Sequence, residues 1–178
     1  GSASSLSPGV SAKEIFDDGE QLLDACAELG LNIGAVMAVR EARLTGEAHA
    51  VAAMRRVLEV MKDETTAPIA NPQRSLGGLI GGEAKLVDAT GRNDFSSSLM
   101  GAVQTDAVAR AMAVLERSAT MGVIVAAPTA GSAGVVPGCV LALADHLQLD
   151  DEQVMDALYC AAAIGLNLTT SACVAGAE

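Results

Sequence analysis

The sequence predicts an all-α fold, a compact helical domain whose central helices are rich in small residues. Three observations carry this prediction. The 178 residues include 34 Ala and 18 Gly, and Ala is the strongest helix former. The strand-favouring aromatics are nearly missing, with no Trp, one Tyr and two Phe. Apolar residues recur at helical spacing between capping signals through much of the chain. Small side chains provide few large apolar anchors, so such a core must be extensive to be stable. A chain of this length reads as about one domain, burying roughly 70% of the surface its unfolded form exposes.

The elements follow in order. Gly1 to Val10 is rich in Ser, Gly and Pro and reads as a tag remnant and a loose start; the domain proper is expected from Ser11 to Glu178. Ser11 and Glu14 form a capping box, after which Ile15, Leu22, Leu23 and Cys26 recur at helical spacing up to Gly30. Asn32 is placed to cap a second helix with Ile33, Val36, Met37 and Leu44 on one face, broken at Thr45-Gly46. A third is predicted from about Glu47 to Lys62, with Val51, Met54, Leu58 and Met61 inward. These three are expected as a small antiparallel layer, with His49 in a surface or packing role and not a catalytic one.

Helical periodicity lapses from Thr65 to Gly82, which holds Pro68, Pro72 and the run Gly77-Gly-Leu-Ile-Gly-Gly82. Glycines there permit positive φ and close backbone approach to a ligand. A helix opening at Glu83 would set free N–H groups beside that loop, an arrangement suited to anions. Asp94 and Ser96 to Ser98 can start the next helix, running to about Thr120, and Ala102, Ala109, Ala113 and Leu115 suit it to a central position. Asp150 and Gln153 form another capping pattern, opening a helix that carries Val154, Leu158 and Ala162.

Charge and composition exclude several functions. Eleven Lys and Arg stand against 22 Asp and Glu, a formal charge of −11. A polyanion gains no counterion-release energy from a phosphate backbone, which argues against nucleic acid and anionic membrane surfaces. Two uncharged runs, Ser118 to Ala144 and Ala157 to Ala177, have the length of membrane spans. Pro128 and Pro137 interrupt the first, no Lys or Arg follows Arg117, and no aromatic belt flanks either, so both are expected as buried helical centres. Cys26, Cys139, Cys160 and Cys173 show no Cys-x-x-Cys spacing and are expected as reduced, buried residues of a cytoplasmic protein with no metal site of their own.

The chemistry is concentrated in Val123 to Gly138. An apolar approach leads into Pro128-Thr-Ala-Gly-Ser132, then Gly134 and a helix through Leu141 to His146. Small residues leave room for a ligand against the backbone, Thr129 and Ser132 offer hydroxyls, and the helix start offers N–H groups. With no cationic side chain in this half, a small carboxylate is the ligand such a bend suits. His146 at the helix end is expected to complement the dipole there. Tyr159 is expected in a core with its hydroxyl paired, and Asn167, Thr169, Thr170 and Ser171 as a polar patch near the site.

The run Met121 to Gly138 closely resembles the α chain of iron–sulphur-dependent L-serine dehydratase. Gly77 to Lys85 and Val174 to Glu178 resemble the same family in the same order, and the resemblance covers Ser11 to Glu178. It implies an all-helical α domain working with a β domain or subunit, as a homodimer, in conversion of L-serine to pyruvate and ammonia. It also implies a [4Fe–4S] cluster in the full-length enzyme, its open iron acting as Lewis acid on the substrate hydroxyl. In that pattern the cluster cysteines lie beyond Glu178, so the chain reads as the N-terminal portion of the α domain, with no cofactor of its own and no turnover alone. The site residues expected for the substrate are Ser75, Gly77, Gly78, Pro128, Thr129, Ala130, Gly131, Ser132 and Gly134; no residue is assigned as catalytic base. Two other functions fit the residues less well. A pyridoxal-phosphate enzyme needs a Schiff-base lysine, for which Lys85 is the candidate, and a non-catalytic helical oligomerisation domain needs only exposed apolar surface.

Overall fold

The computed structural model describes residues 15–93 and 100–171. Among the described residues there are seven helices and no strand. They fall into two compact units, one comprising the residues through Ala53 and from Leu158 onward, the other Met54 to Ala157.

The first unit holds α1 (Gly19–Leu29), α2 (Ile33–Thr45), the first turns of α3 (Glu47–Ala70) and the later turns of α7 (Asp151–Ser171). α1 starts where a capping box sits at Asp18 and Gln21. Asp18 accepts from the Gln21 amide at 2.8 Å, and the Gln21 side chain accepts from the Asp17 amide at 2.8 Å. The expected box at Ser11 and Glu14 lies outside the described residues. Gly30 ends the helix with φ +63°, and Asn32 caps α2 by accepting from the Ala35 amide at 2.7 Å. The two helices meet at 96°, not as antiparallel neighbours, because the left-handed Gly30 turns the chain sharply. Leu22, Val36, Met37 and Ala50 are buried, whereas Leu23, Leu44 and Val51 are exposed. On α3, Leu58 and Met61 are buried and Met54 half-buried as expected; at its start Ala50 turns inward and Val51 outward. Tyr159 is buried, its hydroxyl donating to the Ala50 carbonyl at 3.0 Å. Burial, with the Glu41 charge beside it, pushes its pKa up. Asn167 and Thr169 donate to the Ala163 and Leu166 carbonyls of their own helix. The side chains of Thr170 and Ser171 lie outside the described residues.

The second unit holds the rest of α3, then α4 (Glu83–Asn93), α5 (Ala102–Ala119), α6 (Val135–Leu147) and the start of α7. α3 continues two turns past Lys62 to Ala70. Thr65 and Thr66 turn their hydroxyls back to the Met61 and Lys62 carbonyls, which keeps β-branched residues compatible with the helix. Pro68 is accommodated near its end. α5 is the central helix and packs on both α4 and α6. Its Ala109 and Ala113 are completely buried, while Leu115 is exposed. α6 approaches it closely through Gly134 and Gly138, where an added Cβ would stand 2.5 Å from the Ala111 carbonyl oxygen and 2.7 Å from that of Ala107. Arg110 on α5 pairs with Asp106 at 3.0 Å and with Asp145 on α6, and these carboxylates hold its pKa up against the opposing effect of burial. Asp150 and Gln153 form the expected capping box at the start of α7, at 2.9 and 3.0 Å. The predicted caps at Asp94 and Ser96 to Ser98 lie outside the described residues. No single helix among the described residues is long and apolar enough to cross a membrane.

Candidate functional site

Two loops of the second unit carry the predicted site residues. The first runs from Asn71 to Gly82. Ser75 and Ile80 close it, the Ser75 amide donating to the Ile80 carbonyl at 2.8 Å and the Ile80 amide to Ser75 Oγ at 3.2 Å. Gly78 turns the tip with φ +69°, its amide donating to the Ser75 carbonyl at 2.8 Å. Arg74 reaches across to the Gly78 carbonyl at 3.0 Å. Leu76 and Leu79 at this tip are 87% exposed. The hydrogen bonds of Ser75 and Gly78 therefore lie within their own loop.

The second loop carries Pro128 to Gly134 and contains a cis peptide at Ala127-Pro128. Thr129 and Ser132 face each other, their hydroxyl oxygens 3.1 Å apart, and Ser132 also donates to the Ala127 carbonyl at 3.2 Å. The hydroxyls expected to meet a ligand are thus engaged in shaping the bend. The amides of Ala130, Gly131 and Gly134 make no hydrogen bond among the described residues. The bend is open to solvent at Pro128, Ala130 and Gly131. Ala130, Gly131 and Gly134 border a cavity of about 480 Å³ whose other wall is α5, including Ala111, Leu115 and Ser118. No hydrogen bond among the described residues joins this bend to the 71–82 loop. Gly134 has a packing reason of its own in its contact with Ala111.

Each loop is anchored by a buried glutamate. Glu116 on α5, only 2% exposed, accepts from the Gly82 amide at 3.0 Å and the Ala84 amide at 2.7 Å. Glu83 accepts from the Gly81 amide at 2.7 Å, and that bond holds its carboxyl below the usual range. The α4 N-terminus, expected as an open anion site, is therefore already filled by carboxylates of this chain. Glu64 on α3 is completely buried and accepts from the Val125 amide at 2.9 Å, fixing the approach to the bend. Its other oxygen, Oε1, has no partner among the described residues. The neighbouring residues complete the frame, as Arg117 pairs with Asp63 at 2.8 Å.

Neither glutamate stands out in the sequence as a site residue. The signal that marks them is periodicity: Glu116 follows the buried Ala109 and Ala113 by seven and three residues, and Glu64 follows Met61 by three. An acid on an apolar stripe needs a partner, and loop amides provide it.

Burial pushes the Glu64 pKa above its ordinary 4.5, against the lowering effects of the Val125 amide and Arg117 and helped by Asp63. The native state then holds this proton more tightly than the unfolded chain. The contribution is complete below the ordinary carboxylate range and is lost as pH rises through the raised value. Glu64→Gln keeps an acceptor for Val125 without a titrating proton. Urea unfolding from pH 4 to 8 should show a smaller decline in stability with rising pH than in the unsubstituted chain.

The family model for the serine dehydratase alpha chain matches residues 28–178. The chain belongs to this family. A probable L-serine dehydratase alpha chain of Bacillus subtilis is 34% identical over 169 residues, 92% of this chain and 54% of the relative. The L-serine dehydratase alpha chain of Peptoniphilus asaccharolyticus is 28% identical over 171 residues, 92% of this chain and 56% of that one. A probable counterpart in Latilactobacillus sakei is 41% identical over 75 residues, 42% of this chain and 36% of the relative. The chain thus spans about half the length of the full relatives it matches. No solved structure matches it significantly.

Among the described residues the cysteines of this serine dehydratase alpha chain are not brought together as cluster ligands would be. Cys139 is exposed on α6, Cys26 and Cys160 are half-buried in the other unit, and Cys173 lies outside the described residues. Among the described residues no three His, Cys, Asp or Glu side chains are grouped as a metal site requires. Cys139 departs from the expected burial because it lies at the edge of the α5–α6 packing, on an open cavity that it lines with Val103, Gln104 and Ala107 of α5.

Proposed function

We propose that this chain supplies substrate-carboxylate contacts of an L-serine ammonia-lyase that converts L-serine to pyruvate and ammonia. The observation that carries the proposal is the solvent-open bend from Pro128 to Gly134, with three uncommitted amides beside a cavity, in a member of the serine dehydratase alpha chain family. Amides fixed by a folded turn bind a carboxylate through oriented dipoles and need no cationic side chain. Elimination of a hydroxyl from an amino acid requires the α-carboxylate to be held still while the proton and hydroxyl depart. The bend suits that holding role. Its hydroxyls, locked between Thr129 and Ser132, keep it in one shape before substrate arrives.

The chemical steps belong to the whole enzyme, in which a β chain or domain, an iron–sulphur cluster and a second copy complete the assembly in the cytoplasm. The test is anaerobic pyruvate formation from L-serine by the α chain of full length together with its β partner. Pyruvate is expected. Its absence from an assembled enzyme with its cluster in place would reject the lyase assignment. Gly131→Pro, which removes one uncommitted amide, should raise KM for L-serine more than it lowers kcat.

A further inference from the structure

Two buried polar atoms of opposite kind lie unpaired beside the approach to the bend. Glu64 Oε1 is an acceptor and Arg117 Nε a donor, and neither has a partner among the described residues. Where water is excluded, each is costly to leave unmet. Three elements set their positions. α3 supplies Glu64, completely buried, whose Oε2 accepts from the Val125 amide at 2.9 Å. α5 supplies Arg117, whose Nη2 donates to Asp63 at 2.8 Å. The approach segment touches both. The Gly122 amide donates to the Arg117 carbonyl at 2.9 Å, and a Cβ at Gly122 would meet Arg117 Nε at 2.5 Å. The guanidinium thus lies against this main chain only because residue 122 has no side chain.

Arg117 acts on two carboxylates. It is ion-paired with Asp63, which is 57% exposed, and its charge lowers the pKa of the buried Glu64, which Asp63 raises. Among the described residues no other charged group shifts Glu64, and the approach from Ser118 to Ala127 carries no charge. Solvent weakens an exposed pair, whereas opposite charges in a water-excluded place attract strongly. While Glu64 holds its proton, Asp63 therefore keeps the guanidinium. Once that proton leaves Oε1 for solvent, the buried charge has to be met. Arg117 Nε is the unpaired donor whose charge already acts on it.

We propose that Glu64 is a positioning residue for the bend with two states: as the neutral acid it leaves Arg117 to Asp63 and holds Val125 weakly, and as the carboxylate it draws Arg117 Nε onto Oε1 and holds Val125 firmly. The Val125 hydrogen bond carries the difference, because a carboxylate accepts from an amide more strongly than a neutral acid does. Val125 stands three residues before Pro128, so the state of Glu64 decides how firmly the bend is seated. The guanidinium stays charged in both states, and one proton is exchanged with solvent. The effect on substrate rests on the lyase assignment; the exchange rests on Glu64, Arg117 and Val125 alone.

The test is a pH titration of the isotopically labelled chain from pH 4 to 8, followed by NMR at the Val125 amide and the Arg117 Nε–H. The two resonances should move together on one curve, with a midpoint above the ordinary 4.5 of a glutamate. Glu64→Gln should abolish both movements. Asp63→Asn, an exposed change, should lower the shared midpoint, because the competing carboxylate is gone. In the assembled enzyme KM for L-serine should fall about fivefold as pH rises through that midpoint while kcat stays level, the gap between a neutral and a charge-assisted hydrogen bond. Glu64→Gln should hold KM near its acid-side value at every pH. Separate curves for Val125 and Arg117, no titration at Val125, a midpoint that Asp63→Asn raises or leaves in place, or a KM indifferent to the midpoint would overturn the proposal. The wild-type curves alone decide if Glu64→Gln does not fold. Joint titration in an enzyme that makes no pyruvate would instead overturn the lyase assignment and leave the exchange standing.

Discussion

Glu116→Ala should lower the stability of the chain by about 3–5 kcal/mol, the largest effect expected of any single truncation here. The reason is a count of stranded donors. Both carboxylate oxygens accept main-chain amides, from Gly82 and from Ala84, and Glu116 is almost wholly buried. Removing the side chain leaves two donors at the head of α4 without a partner, each costing about 1–3 kcal/mol, and a void where the carboxylate stood. Glu116→Gln keeps the volume but replaces one acceptor oxygen by an NH₂ group, which opposes an amide donor, so its loss should be smaller yet clear. A urea midpoint series ranks the two. Amide exchange at Gly82 and Ala84 should quicken in both variants and most in the alanine. Unchanged exchange at these two positions would show that the carboxylate does not anchor the glycine-rich loop.

Gly138→Ala should destabilise by about 1–3 kcal/mol, even though Ala is the better helix former by roughly 0.5–1 kcal/mol. The added methyl would meet the Ala107 carbonyl oxygen at 2.7 Å and the Ala111 amide nitrogen at 3.1 Å, and backbone atoms cannot rotate aside. α5 and α6 must separate, which loosens the seat of Gly134 and with it the bend. Gly165→Ala is the control. It lies inside α7 with nothing within 4 Å of the added carbon and should raise stability by about 0.5–1 kcal/mol. Thermal unfolding of both variants reads the contrast in sign; a gain from both would mean that helix propensity outweighs the α5–α6 approach.

The two results bear on how the candidate site is built. Its loops have few apolar contacts of their own, as the exposed Leu76 and Leu79 show. They are placed by buried polar atoms on α3 and α5 and by the closeness of two helices. Disturbing those supports should change substrate affinity without any substitution in the loops themselves, as expected of a site whose geometry is set by its scaffold.

Much of this was legible in the amino-acid order. Asn32, Gly30, Gly46 and the Asp150-Gln153 pair marked helix ends because capping and left-handed turns are local, involving residues within a few positions of one another. The abundance of Ala and Gly announced helices that approach closely, and the Gly134-Ala111 contact is that approach. The specific run through Pro128-Thr-Ala-Gly-Ser132 pointed to the family that the comparison with known proteins established.

Tertiary structure decided the rest. It buried Ala50 and left Val51 exposed at the start of α3, since which positions face inward depends on what packs against them. It also decided which polar groups remain for a ligand. The Thr129 and Ser132 hydroxyls satisfy each other, and the α4 amides satisfy Glu116, 32 and 34 positions along the chain. Periodicity can mark Glu116 as facing inward, but a hydrogen bond between residues that far apart leaves no mark of its partner in the sequence; burial makes the bond obligatory, and burial exists only once the helices have packed.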